Sequence, residues 1–249
     1  MNQRDILVLL TMAAVVAFLA CAACTGSPGN PRAESEVIPP SEVVDFNLLY
    51  QQNCAGCHGV DGKGGAAFAL ADPVFLAIAD DSVIGHIAAN GVSGTPMPAF
   101  AQSAGGMLTD KQIDALVRGI RSWAKPEALK DTTLPPYSAQ APGDPQRGAD
   151  AYRTYCSSCH GADGRGASKA SSIVDGSFLA LISDQQLRTI VIAGRPELGA
   201  PDWRGDVEGR PMPAQDISDV VAWLSSQRAR FPGQPYPIFS LDPAKGGSR

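Results

Sequence analysis

The sequence predicts an all-α protein built from two homologous domains, and three observations carry that expectation. The segment Cys54-Ala55-Gly56-Cys57-His58-Gly59 returns 102 residues later as Cys156-Ser157-Ser158-Cys159-His160-Gly161, and both copies continue with Asp-Gly, a base and Gly, at 61–64 and 163–166. In each copy apolar positions recur at three-to-four spacing before the cysteines, in the middle and at the end; that is the period of a helix, and no run alternates as a strand does. The 26 glycines and 20 prolines are too many for the interiors of regular elements, so much of the backbone is expected to be loop wound around something rigid.

The repeat fixes the order of elements. Tyr50 and Tyr152 each stand four residues before the first cysteine, and Phe75-Leu76-Ala77-Ile78 matches Phe178-Leu179-Ala180-Leu181 after a one-residue slip. Gly91 matches Gly194, Pro-Met-Pro-Ala occurs at 96–99 and 211–214, and apolar-periodic segments close each copy at Ile113–Trp123 and Ile217–Leu224. The domains are therefore placed at 43–124 and 143–230. Between them 125–142 holds Pro126, Pro135, Pro136 and Pro142 and reads as a semi-rigid linker. The second copy inserts Glu197 to Glu208, with Trp203 and Arg204, a segment expected to touch a partner or the other domain. The tail 231–249 lies outside the repeat; its aromatic and proline content predicts packing on the domains or on a partner.

Charged residues make up 18% of the 249 and the net charge is -5, which excludes nucleic acid as the default partner. The charge is uneven, with net -4 over 41–124 and net -1 over 143–230, so the first domain is expected to favour basic partners. At the N-terminus an uncharged apolar run, Ile6 to Cys24, passes into small residues and a Gly/Ser/Pro spacer. It resembles a bacterial lipoprotein signal peptide. In such signals an apolar pair and a small residue precede the acylated cysteine, which fits Cys21 better than Cys24; the alternative is an uncleaved membrane anchor. Residues 1–24 are thus a signal peptide or anchor and 25–42 a polar tether. Both readings put the rest of the chain outside the cytoplasm, on the periplasmic side of the membrane.

The cysteine motif carries the chemistry. C-x-x-C-H is the attachment signature of c-type haem: two thiols three positions apart reach two vinyl groups on one porphyrin edge, and the adjacent histidine projects its imidazole to the iron. Rival readings are a zinc site, a disulfide and a thioredoxin-like pair. Zinc needs four ligands, whereas each copy offers two cysteines and one histidine, and a redox pair does not require histidine in both copies. Cys54, Cys57, Cys156 and Cys159 are accordingly the candidates for covalent attachment of two haems, with His58 and His160 as iron ligands.

The sixth ligand is sought among the methionines beyond the signal, Met97, Met107 and Met212. Met97 and Met212 share the Pro-Met-Pro-Ala context, in which flanking prolines stiffen the loop, and are the candidates. Met107 has no counterpart in the second copy and is expected to be an ordinary core methionine. His86 falls opposite Thr189 and is assigned a structural or surface role.

Both copies resemble class I cytochrome c domains, and residues 43–230 as a whole resemble a tandem dihaem cytochrome c of the bacterial cell envelope. The resemblance implies a small helical fold in which the helix before the haem motif crosses the C-terminal helix. It also implies thioether bonds at Cys54, Cys57, Cys156 and Cys159, proximal ligation by His58 and His160, and distal ligation by Met97 and Met212. Family members often orient the proximal histidine with a proline carbonyl, a role open to Pro73 in the first copy but not to Gly176 in the second. At the helix crossing the family pairs a glycine eight residues before the first cysteine with an aromatic residue. The second copy has Gly148 and Trp223, whereas the first has Phe46 and Gly119, so the large and small partners are expected to have exchanged helices.

The function so implied is electron transfer in a respiratory or photosynthetic chain, as a carrier or as the cytochrome c subunit of a complex. The partners are redox proteins: quinol oxidoreductase, oxidase or dehydrogenase subunits. The alternative is a dihaem redox enzyme such as a cytochrome c peroxidase, which needs one displaceable distal ligand.

Overall fold

The computed structural model describes residues 38–205 and 209–229, together with residues 2, 4, 8 and 11–15. Cys21, Cys24 and the tail 231–249 lie outside the described residues, and no described helix is long and apolar enough to cross a membrane. The chain divides into two compact units, Met1–Glu42 and Val43–Arg249, and both copies of the repeat belong to the second.

Each copy is a set of five short helices. In the first these are α1 (Phe46–Asn53), α2 (Ala55–His58), α3 (Pro73–Ile78), α4 (Asp81–Asn90) and α5 (Asp110–Arg121); in the second, α6 (Pro145–Tyr155), α7 (Ser157–His160), α8 (Gly176–Ala180), α9 (Asp184–Ala193) and α10 (Ala214–Ser226). The described residues contain only isolated bridges and no named strand, so the architecture is all-α. Most starts are written locally. Asp45, Asp72, Asp80, Asp144 and Asp175 each accept a backbone N–H of the first turn, while Thr109 and Ser183 form capping boxes with Gln112 and Gln186.

The terminal helices of each copy cross as the resemblance implies, by two different packings. In the second copy a Cβ on Gly148 would run into the Asp219 carbonyl, so α6 and α10 meet backbone to backbone. In the first, a Cβ on Gly119 would fall inside the Phe46 ring, so a side chain fills the gap. Phe46 does lie over Gly119, as the exchange requires. Trp223 packs against Gly148 through its Cβ, and its ring stacks on Tyr152 with centroids 4.3 Å apart and reaches Gly164. Its functional counterpart in the first copy is Trp123, one turn further along the chain, which meets Tyr50 edge-on at 5.0 Å and Phe46 at 5.3 Å and lies against Gly62. The tryptophan moved by a turn and Phe46 filled the vacated volume, which close packing demands.

A second anchor repeats out of register. Arg121 donates to the carbonyls of Leu76 and Ala79 and pairs with Asp81; Arg228 donates to the carbonyls of Leu179 and Ile182 and pairs with Asp184. In each copy one arginine thus ties the C-terminal helix to the turn between the two middle helices.

The crossing of α6 and α10 also holds a buried carboxylate. Asp219 is 2% exposed and accepts from Arg147 Nε at 2.8 Å, the Asp144 N–H at 2.7 Å and Gln215 Nε2 at 2.9 Å. Burial pushes its pKa up, but these hydrogen bonds outweigh burial and hold it below the ordinary carboxylate value. Because the folded value is depressed, the stabilisation is complete above the unfolded-state value and is lost as pH falls through the folded one. Asp219→Asn should therefore melt below the parent protein at pH 6, and the gap should close as pH falls below about 4. A gap that stayed constant with pH would show that the charge on Asp219 contributes nothing.

The two copies share one apolar cluster within their unit. Phe75, Leu76 and Leu129 from the first side belong to it with Ile192, Ala193 and Trp203 from the second, and α3 packs against α9. Trp203, in the insertion, is 4% exposed, and its N–H donates to the Ile192 carbonyl at 3.0 Å. The insertion therefore serves contact between the copies. Met107 departs from its expected core role: it is 86% exposed, and the buried residue of that turn is Leu108, whose N–H donates to the Phe100 carbonyl.

Candidate functional site

The cysteine motif bends the chain sharply after α1 and again after α6. Cys54 caps the end of α1 and starts α2, and Cys156 does the same between α6 and α7. One turn later each histidine ends its short helix, followed by a glycine with φ 82° at Gly59 and 81° at Gly161, a left-handed conformation that favours glycine. Tyr50 and Tyr152 pin these turns by donating their hydroxyls to the carbonyls of Gly59 and Gly161. Burial raises the pKa of both phenols, Tyr152 to about 12, so they stay protonated donors.

Both histidines are oriented from behind by a backbone carbonyl. His58 Nδ1 lies 2.7 Å from the Phe68 oxygen and His160 Nδ1 lies 2.9 Å from the Ser171 oxygen, positions that correspond once the one-residue slip is applied. A carbonyl only accepts, so each Nδ1 carries the proton and each Nε2 presents its lone pair. This corrects the expected role of Pro73. That proline is the first residue of α3, capped by Asp72, and its carbonyl is committed along the helix axis. The loop before the helix supplies the acceptor in both copies, so Gly176 deprives the second histidine of nothing.

The forward face of His58 tests the site for an iron porphyrin. His58 is 9% exposed, and its Nε2 is the only buried side-chain nitrogen or oxygen without a partner among the described residues. Burial lowers the imidazole pKa and outweighs the opposing effect of the Phe68 bond, so the neutral ring is favoured. A neutral imidazole whose buried Nε2 lone pair meets no protein donor fits the chemistry of an iron-porphyrin ligand. His160 is half-buried and presents the same atom in the same way.

The thiols fit attachment better than redox exchange. None of the four is in a disulfide, and burial followed by the neighbouring thiol raises Cys54 to about 11 and Cys156 to about 12. A thioredoxin-like pair needs a lowered pKa.

The two methionines occupy unlike loops. Met97 is half-buried in a self-contained turn, where the Val92 N–H donates to the Met97 carbonyl at 3.0 Å and Thr95 Oγ1 accepts from the Met97 N–H at 3.2 Å. Met212 is 7% exposed, and its N–H donates to the Trp203 carbonyl at 2.7 Å, so the insertion holds it. Met212 belongs to the shared apolar cluster, against which Cys156 and Tyr155 also pack; Met97 stands outside that cluster. His86 is exposed and bonded to Asn90.

Paired all-α domains, each presenting two thiols and an imidazole held from behind, define a multihaem c-type cytochrome, with covalently bound haem and haem-based electron transfer as its business. The family described as cytochrome c oxidase, cbb3-type, subunit III matches residues 42–118 and again 143–224, more than half of the chain, and the protein belongs to that family. Among solved structures the chain is similar to a reducing HAO-like protein complex of Kuenenia stuttgartiensis, at 17% identity and a TM-score of 0.43, covering 78% of this chain and all of that one. It is also similar to the "as isolated" thiosulfate dehydrogenase of Marichromatium purpuratum, at 17% identity and a TM-score of 0.31, covering 86% of this chain and 53% of that one. No curated protein sequence matches.

Proposed function

We propose that the protein is a dihaem electron-transfer component tethered at the outer face of the cytoplasmic membrane, acting as a carrier or as the cytochrome c subunit of a quinol-oxidising or terminal-oxidase complex. The observation that carries this reading is the duplicated histidine setting, in which Phe68 and Ser171 fix both rings in the tautomer that ligates iron. When bound, each haem supplies a one-electron couple. Cys54 and Cys57, and Cys156 and Cys159, would hold the two groups as thioethers, and His58, His160, Met97 and Met212 would supply the iron ligands. With a methionine bound to each iron, neither would offer a place to oxygen or peroxide, and the potential would lie above that of bis-histidine ligation. The family's description as an oxidase subunit supports the complex-bound form. The net -4 of the first copy favours a basic redox partner. The apolar run Ile6 to Cys24, with Cys21 in the acylation context, supports a lipid tether.

The test is the near-infrared charge-transfer band between methionine sulfur and oxidised iron. Met97→Ala and Met212→Ala should each remove about half of it, in keeping with one equivalent ligand per copy. A band untouched by either substitution would place the sixth ligands elsewhere.

A further inference from the structure

The second copy shows what its groove between the middle and C-terminal helices is for. The linker lies in it, extended through Pro135, Pro136 and Tyr137. Gln185 Nε2 donates to the Tyr137 carbonyl at 2.9 Å, and Arg188 donates to the Tyr137 and Pro136 carbonyls, each at 3.0 Å. Arg188 also reaches Ser218 Oγ at 3.0 Å, and the Tyr137 side chain lies against Thr189 and Gln185. The arginine is 3% exposed, buried beneath the segment it holds.

The first copy has the same groove, between α4 and α5, with a volume of about 480 Å³, and among the described residues it is open. The register of the repeat puts Ser82, Gly85 and His86 where Gln185, Arg188 and Thr189 stand, and Asp110 and Asp114 where Ala214 and Ser218 stand. Ile113 and Val117 form an apolar floor. Relative to its filled counterpart this groove lacks the buried cation of Arg188 and has two further carboxylates, with one cation, Arg118, lining it where Ala222 stands in the second copy. Neither Asp110 nor Asp114 is in an ion pair among the described residues. A segment with the linker's backbone fits the shape, and a cation fits the space that Gly85 vacates beside Asp114. The chain's own segment 231–241 contains no basic residue, so it lacks that cation.

We propose that the open groove between α4 and α5 is a docking site for an extended, proline-bearing segment of a partner protein that carries an arginine or lysine. The segment lies as the linker lies in the second copy and places its cation where Arg188 stands there. Gly85 and the two aspartates make the groove reject an uncharged segment and accept a charged one, a specificity set by what the site lacks. The attraction is a partly screened surface one and weakens with salt.

The probes are two synthetic peptides, one with the sequence of residues 132–140 and one in which its serine is replaced by arginine, titrated into the isotope-labelled, haem-loaded ferrous protein. The arginine peptide should shift the amide signals of Gly85, His86 and Val117 and bind at least tenfold tighter than the unmodified one at low salt. Gly85→Arg restores the resident cation and should reverse that order. It is expected to fold, since a Cβ there makes only an ordinary contact with Val117. Asp114→Asn should weaken the arginine peptide alone. The proposal is overturned if neither peptide moves these signals, or if Gly85→Arg leaves the preference unchanged. It is also overturned if removing residues 231–249 alters the groove signals without peptide, which would make the chain's own tail the occupant.

Discussion

Cys54→Ala with Cys57→Ala should leave one covalently attached haem in place of two, read as halved haem absorbance per chain and as a mass one haem lower in the denatured protein. Cys156→Ala with Cys159→Ala should give the same count through the other copy. The two variants should differ in stability, and the reason lies in the histidines. His58 is buried with Nε2 unsatisfied, so losing its iron leaves a desolvated acceptor inside the first copy, a cost of about 1–3 kcal/mol beyond the lost packing. His160 is half-buried, and water reaches it at little cost. The first variant should therefore melt at the lower temperature. Because Phe75 and Leu76 share an apolar cluster with Ile192 and Trp203, the loss should spread into the second copy rather than leave it intact. Two haems retained in either variant would refute the attachment sites.

Gly148→Ala should destabilise the second copy by about 3 kcal/mol, and Gly119→Ala the first by about 1–2 kcal/mol, although both put a better helix former on a helix. The difference follows from what each new methyl meets. At Gly148 the obstacle is the Asp219 backbone, which yields only if α6 and α10 move apart, and that motion also loosens the bonds of Arg147 and the Asp144 N–H to the Asp219 carboxylate. At Gly119 the obstacle is the Phe46 ring, which can turn aside. Adding Phe46→Leu should recover much of the Gly119→Ala loss, whereas adding Trp223→Leu should recover little of the Gly148→Ala loss, because the blocking carbonyl remains. Equal rescue in the two copies, measured by urea unfolding, would mean that the crossings are packed alike.

The sequence alone determined what is written in side chains at fixed spacing. The attachment motif is legible because two vinyl groups and one iron dictate C-x-x-C-H. The helix starts are legible because Asp45, Asp72, Thr109 and Ser183 are the residues whose side chains can accept an orphan N–H. The duplication is legible because the same local constraints recur in the same order, and with them came the tandem all-α class and the exchange of Phe46 and Gly119.

Only the tertiary structure decided what depends on groups without a side-chain signature or on distant contacts. The carbonyls of Phe68 and Ser171 orient the histidines, and every residue has a carbonyl; the loop path alone selects which one, and that path passed over Pro73. Trp123, in the turn just past the end of α5, takes the place of Trp223, a shift invisible to strict register but permitted because packing fills volume, not position. Met107 has core composition and a surface place, since the burial of that turn is taken by Leu108. Trp203 is buried against the other copy because an insertion with no equivalent must find its partner across the chain, and long-range partners are fixed by shape rather than by spacing.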